Sequence, residues 1–99
     1  MMIIDLPLTR KWLREPPEED DEILNLIIGA AEAYLKNATG RVFDSTNNQA
    51  RLFCLVLVTD WYENRELIGI KPSDKVRFSI QSMLLQLQNL PDEGEVTSV

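Results

Sequence analysis

The chain has 99 residues, 44% hydrophobic and 26% charged, which is typical of one soluble globular domain and argues against intrinsic disorder. Its formal charge of −6 disfavours non-specific DNA binding, because DNA affinity depends on Lys and Arg neutralising phosphates. One cysteine excludes an intramolecular disulfide. No run approaches the ~20 apolar residues of a membrane span, and residues 1–8 lack the pattern of a signal peptide. A reducing, cytoplasm-like compartment is therefore expected.

Near the N-terminus, residues 7–13 predict one or two turns of helix. Leu8 and Trp12 are four residues apart, so we expect both side chains to face inward. The Pro16-Pro17 pair ends this segment, because residues that precede proline avoid the α region. Residues 1–6 before the helix are apolar apart from Asp5, which allows a short strand or an ordered arm.

The strongest helical pattern begins at the acidic residues 18–22. Carboxylates are favoured at a helix start, where the backbone N–H groups are unpaired and carry partial positive charge. Apolar side chains then recur at three- and four-residue steps from Leu24 to Leu35, and the small residues 29–33 make part of the helix thin. Gly40 is a natural left-handed cap, so the predicted helix is about 20 residues long.

Two further helices are predicted in the second half of the chain. Residues 48–66 contain no Gly or Pro and are apolar on most sides. This predicts a helix, capped by Ser45 or Thr46, that is either central to the fold or buried against neighbouring subunits. A last helix is expected over residues 74–90, with Ser73 as its cap and Pro91 beyond its end.

These patterns predict a mainly α fold, a small bundle of three to four helices, with minor β structure allowed at residues 2–6 and 68–70. Residues 1–90 are expected to form a single helical domain. Residues 91–99 are acidic and poor in apolar side chains, so they are expected to be a flexible tail.

Little in the sequence suggests catalysis. The chain has no histidine, one cysteine and four scattered glycines, so it lacks a Ser-His or Cys-His pair, an intrachain structural zinc site and a phosphate-binding loop. The carboxylates of residues 18–22 lack the spacing of a calcium loop and are explained by the helix start. Glu32, Asp60 and Glu63 are interpreted as surface charges. We therefore predict no enzyme, no metal site and no cofactor.

The most distinctive stretch lies between Asp60 and Glu66. Helical spacing favours a core position for Trp61, and the other interpretation is a subunit contact, because Trp, Tyr and Arg dominate interface hot spots. The two interpretations are compatible for Trp61 and its neighbour Tyr62.

Two segments taken together resemble the signatures of the head–tail connector (adaptor) family of long-tailed phages. Residues 19–35 give an acidic start and an Ala-Glu-x-Tyr step that closes at a Thr-Gly-Arg turn, and residues 57–65 end in Trp-Tyr-Glu-Asn-Arg. The family's last helix often ends in Gln-Leu-Arg, whereas this chain has Gln88 in place of the arginine. The candidate subunit or partner contacts are Tyr34, Arg41, Trp61, Tyr62, Asn64, Arg65 and Gln86.

The resemblance implies a structural protein of the virion neck, made in the host cytoplasm before assembly. It would form a ring, dodecameric by analogy, under the portal protein. It would contact head-completion or tail proteins and let DNA pass as cargo, and no membrane would be involved. A small acidic protein-binding module, such as an inhibitor or antitoxin-like regulator, is the alternative. A helix-turn-helix regulator is a weaker rival, because no basic recognition helix stands out.

Overall fold

The structure, a computed structural model, describes residues 3–89. Within that range the chain forms α-helices and short 3-10 turns and no strand, which confirms the predicted small helical bundle. Ile3 and Ile4 lie in a bend and residues 68–70 form a turn, so the β structure allowed there is absent. The predicted tail at 91–99 lies outside the described residues. The helices are α1 (Leu6–Trp12), α2 (Asp21–Thr39), α3 (Asn48–Glu63) and α4 (Arg77–Gln88), with 3-10 turns at Glu18–Asp20 and Arg65–Leu67.

Helix α3 runs antiparallel to both α2 and α4. Tyr62, near the end of α3, donates a hydrogen bond to Asp20, just before the start of α2. Gln49, near the start of α3, donates to Gln86, near the end of α4. Helices α2 and α4 are therefore parallel, and their first residues lie at the same end of the bundle.

Helix α2 follows its sequence pattern closely. Its buried side chains repeat at three- and four-residue steps, and Gly40 ends it in the left-handed conformation with φ of 70°. Only a residue without a Cβ adopts that conformation at little cost, so the predicted glycine cap is confirmed. The buried residues are Leu24, Ile27, Ile28, Ala31 and Leu35.

The cap of α3 differs from the predicted one. Asn47, not Ser45 or Thr46, begins the helix, and its side-chain oxygen accepts a hydrogen bond from the Ala50 N–H at 2.9 Å. Thr46 is engaged elsewhere, because its N–H and hydroxyl both donate to the Asp44 carboxylate, at 2.9 and 2.5 Å. These two hydrogen bonds, the hydroxyl's first, lower the pKa of Asp44.

Helix α1 packs Leu8 against the core, as its spacing predicted, but not Trp12. Trp12 is 44% exposed and donates its indole N–H to the Thr59 hydroxyl at 2.6 Å. The fully buried residue of this helix is Thr9, whose hydroxyl donates to the Asp5 carbonyl at 2.8 Å. A buried hydroxyl needs such a partner, and the backbone four residues earlier supplies it. The inward orientation predicted for Trp12 is wrong.

The centre of the core is α3. Trp61 and Phe53 are the largest fully buried side chains, and the half-buried Tyr34 of α2 packs edge-on against Trp61 and stacks on Phe53. Cys54 is buried among them, and desolvation, with Glu32 as a smaller cause, raises the pKa of its thiol to about 12. The inert, buried thiol expected from the apolar run is what the structure shows.

Glu32 is not the simple surface charge that its position on a helix suggested. Its Oε2 accepts hydrogen bonds from the backbone N–H groups of Ile3 at 2.7 Å and of Ile4 at 3.2 Å. Both isoleucine side chains are buried in the core. The carboxylate therefore holds the N-terminal segment against the middle of α2.

Candidate assembly surface

The seven candidate contact residues lie in three separate places. Helix α2 has 19 residues, so about 28 Å separates the two ends of the bundle. The structure does not bring the seven into one site. Trp61 and Tyr34 belong to the core, Tyr62, Asn64 and Arg65 lie where α3 ends, and Arg41 and Gln86 lie near the ends of α2 and α4.

Tyr62 joins the end of α3 to the start of α2. Its hydroxyl donates to the Asp20 carboxylate at 2.5 Å, and the exposed guanidinium of Arg65 lies 5.4 Å from the centre of its ring. The hydrogen bond to Asp20 requires the protonated hydroxyl, and it is the main reason that the pKa of Tyr62 is raised. Tyr62 thus stabilises the fold, while Arg65 is open to a partner.

Asp60 organises the same end of the bundle, and the sequence analysis missed it. The residue is 3% exposed, and its carboxylate accepts from the Ser73 N–H at 2.8 Å, the Ser73 hydroxyl at 2.5 Å and the Asn64 amide at 3.2 Å. Ser73 therefore does not cap α4, which begins only at Arg77. The spacing held a signal, since Asp60 lies seven residues after the buried Phe53, on the same helical face.

The opposite end of the bundle is held by side chains that donate to helix carbonyls. Arg41 donates to the Leu87 carbonyl at 3.1 Å, and its guanidinium lies 5.6 Å from the centre of the Phe43 ring. Gln88, which stands where the family often has arginine, donates to the Ala38 carbonyl at 2.9 Å. Both contacts satisfy carbonyls in the last turns of α4 and α2, where no intrahelical partner is available.

The outward side of α4 carries the most exposed apolar side chain described. Phe78 is 86% exposed and Leu85 is 60% exposed, and their seven-residue separation places them on one face of the helix. Gln81 and Ser82 lie between them and are also exposed. We call Phe78, Gln81, Ser82 and Leu85 the α4 outer face. The apolar residues that keep the helical period in this segment are Val76, Ile80, Met83 or Leu84, and Leu87. Phe78 and Leu85 lie outside that set, so the sequence pattern gave no sign of this face.

The α4 outer face is also uncharged. Residues 78–89 contain no Asp, Glu, Lys or Arg, although 26% of the whole chain is charged. Exposed apolar side chains that share one uncharged helix face offer a surface for contact with other proteins. The face is therefore the best candidate for an assembly surface.

Other kinds of site find less support in residues 3–89. No group of three or more His, Cys, Asp or Glu side chains in that range could hold a metal ion. None of the helices described there is long and apolar enough to cross a membrane.

One comparison with known proteins gives a match. The profile of the family described as "Phage gp6-like head-tail connector protein" matches residues 3–90. That span includes all four helices and both ends of the bundle. No curated protein and no solved structure matches the chain significantly.

Proposed function

Because the chain belongs to the phage gp6-like head–tail connector family, we propose that it forms a ring of identical subunits beneath the portal of a tailed phage or prophage. In that position it joins the DNA-filled head to the tail and lets DNA pass through its centre. Its partners are further copies of itself, the portal protein and head-completion or tail proteins. The protein acts structurally, without a catalytic step, and resides in the host cytoplasm before it enters the virion neck.

The family match over residues 3–90 is the observation that carries this proposal. It covers the complete described bundle and not an isolated motif. Two properties of the chain support it. The exposed, uncharged α4 outer face suits a protein that works by contact with other proteins, and the formal charge of −6 suits a channel through which DNA slides without sticking.

The inhibitor or antitoxin-like alternative is supported only by the acidic charge, which would attract a basic partner. It gives no reason for the two family signatures or for an apolar outer face on the last helix. Recovery of the tagged protein from infected cells separates the two proposals. Portal or tail proteins are expected with it, whereas a single basic enzyme or toxin would favour the alternative.

Deletion of the gene from the phage tests the proposed role. We expect DNA-filled heads and free tails to accumulate without joining, and a plasmid copy of the gene to restore infectious particles. A plasmid copy with Glu63→Ala should restore them equally, because Glu63 is exposed at the end of α3. Complete tailed particles formed without the gene would contradict the proposal.

A further inference from the structure

A second face, with one large apolar and two small residues between the charged Glu22 and Lys36, lies on the outward side of α2. Leu26 is 64% exposed, and Gly29 and Ala33 follow it on the same face of the helix, also exposed. A Cβ atom at Gly29 would meet nothing within 4 Å, and shallow depressions on both sides of this helix include Ala33 in their lining. We call Leu26, Gly29 and Ala33 the α2 outer face. It has room for large side chains from another molecule.

The two outer faces differ in the size of their side chains. Phe78, Gln81 and Leu85 lie at steps of three and four residues along α4. The α2 outer face has the same steps. One face carries two large apolar side chains, and the other carries one large and two minimal ones, so the projecting side chains of α4 can enter the space above the small residues of α2.

The charges that precede the two faces are opposite. At the start of α4, Lys71, Lys75 and Arg77 are exposed and outnumber the neighbouring Asp74. Just before and within the first turn of α2, three acidic residues are exposed, and no ion pair between described residues joins them to these basic side chains. The acidic residues are Glu18, Glu19 and Glu22.

From this complementarity we infer that the α4 outer face of one copy packs on the α2 outer face of the next copy in the ring. The inference rests on the proposed connector function and identifies its subunit contact. Helices α2 and α4 are parallel within a subunit, and rotation about a ring axis along the bundle keeps them parallel between neighbours. The start of α4 in one copy then lies beside the start of α2 in the next copy, which places basic residues of one beside acidic residues of the other.

Two copies of this chain explain the faces better than one foreign partner. Helices α2 and α4 both pack on α3, so their outward faces point in different directions from the bundle axis. A subunit can therefore offer one face to each neighbour, which is the heterologous contact that closes into a ring. A foreign partner would explain the α4 outer face alone and would leave its complement on α2 without a role.

Charge reversal tests this contact. One variant carries Lys75→Glu and Arg77→Glu, and the other carries Glu19→Lys and Glu22→Lys. In each variant the charge at the start of one helix is reversed and the charge at the start of the other helix is kept. Like charges therefore meet at every subunit contact. We expect each variant alone to associate more weakly than the parent by about tenfold or more, as measured by native mass spectrometry and analytical ultracentrifugation.

Mixing the two variants should restore association, because every contact in an alternating ring then joins opposite charges. A chain with all four substitutions should also assemble. The four side chains are exposed and take part in neither of the ion pairs described within residues 3–89, so circular dichroism should show both variants folded. Adding Phe78→Gln and Leu85→Gln to both charge-reversed variants removes the apolar contact without changing charge. A mixture of these two chains should not associate.

The outcomes separate this inference from the proposed function. If the parent assembles and the reversed variants assemble equally well, or if mixing fails to restore association, the contact lies elsewhere and only this inference is wrong. If the variants form rings but fail to bind the portal protein, the α4 outer face is a portal surface and the inference is again wrong. A parent that stays monomeric at all concentrations, alone and with the portal protein, defeats both.

Discussion

Asp60 and the α4 outer face reverse the usual distribution of polar and apolar residues. Asp60 is a carboxylate that is 3% exposed, whereas Phe78 is an aromatic residue that is 86% exposed. Each is costly in isolation, because a buried polar group must be paired and exposed apolar surface is unfavourable in water. The carboxylate finds its partners inside the chain, from Ser73 and Asn64. Phe78 remains uncovered within residues 3–89, and the proposed contact with a second copy would cover it.

The difference shows how structural and functional residues can be separated in this protein. A side chain whose interactions are complete within the monomer stabilises the fold, and its loss should lower the free energy of unfolding. A side chain whose interactions are incomplete should leave folding unchanged and affect assembly. Substitution of Asp60 should therefore lower the free energy of unfolding, whereas substitutions in the α4 outer face should impair assembly without changing it.

The largest effect on folding is expected for Asp60→Ala. The substitution leaves the Ser73 N–H and hydroxyl without their acceptor, while the Asn64 amide keeps only its hydrogen bond to the Asp60 backbone carbonyl. We expect the free energy of unfolding to fall by about 3 kcal/mol. Urea denaturation followed by circular dichroism measures it. Asp60→Asn keeps one carbonyl oxygen and should lose less, and Glu63→Ala should change little. Equal stability of Asp60→Ala and the parent would show that Asp60 does not organise this end.

Tyr62→Phe should have a smaller effect, a loss of about 1 kcal/mol in the free energy of unfolding. It removes the hydroxyl that donates to Asp20 and keeps the ring on which Arg65 lies. The same denaturation experiment measures it. A loss as large as that of Asp60→Ala would mean that the joint between α3 and α2, and not the buried carboxylate, dominates this end of the bundle.

The pH dependence of stability should report the same hydrogen bond. The pKa of Tyr62 is raised in the folded protein, so the folded state retains the hydroxyl proton at pH values where the unfolded state loses it. The stabilisation is therefore complete below pH about 10, the unperturbed value, and declines as pH rises through the folded pKa. The raised pKa of the buried Cys54 thiol lowers the stability of both proteins above pH about 9. Denaturation of the parent and of Tyr62→Phe between pH 8 and 11 should therefore show a steeper decline in the parent. Parallel pH profiles would contradict it.

The smallest effect on folding, and a complete effect on assembly, are expected for Phe78→Gln. Because the side chain is 86% exposed, the free energy of unfolding should change by no more than about 0.5 kcal/mol. Self-association and complementation of the gene deletion should both fail. Ser79→Gln, an exposed neighbour outside the α4 outer face, is the matched control and should behave as the parent. A destabilised monomer would place Phe78 among the folding residues.

Local patterns predicted the helices well, because helix periodicity and end signals depend on residues close in sequence. Helix α2, from its acidic start to Gly40, is the best case. Predictions failed where a distant partner decided the outcome. Ser73 is a residue type common at helix caps, but its hydroxyl donates a hydrogen bond to Asp60, thirteen residues earlier. Trp12 is hydrophobic like a core residue, but it remains exposed and donates a hydrogen bond to Thr59.

The candidate site was harder to predict than the fold, for a related reason. The family signatures identified residues that mostly join the helices to one another, such as Tyr62 and Arg41. Such residues stabilise the fold of this chain. Phe78 and Leu85 are of the same residue types as those in the core. Only their exposure in the folded chain identifies them as candidate contact residues.

The central claim is that this protein is a neck component that acts through contacts between copies. Three-dimensional reconstruction of the particle neck by cryo-electron microscopy tests it most directly. We predict a closed ring of this chain between portal and tail, with Phe78 of each subunit covered by its neighbour. A neck without this chain, or a ring in which the outer faces of α2 and α4 both point to solvent, would contradict the account.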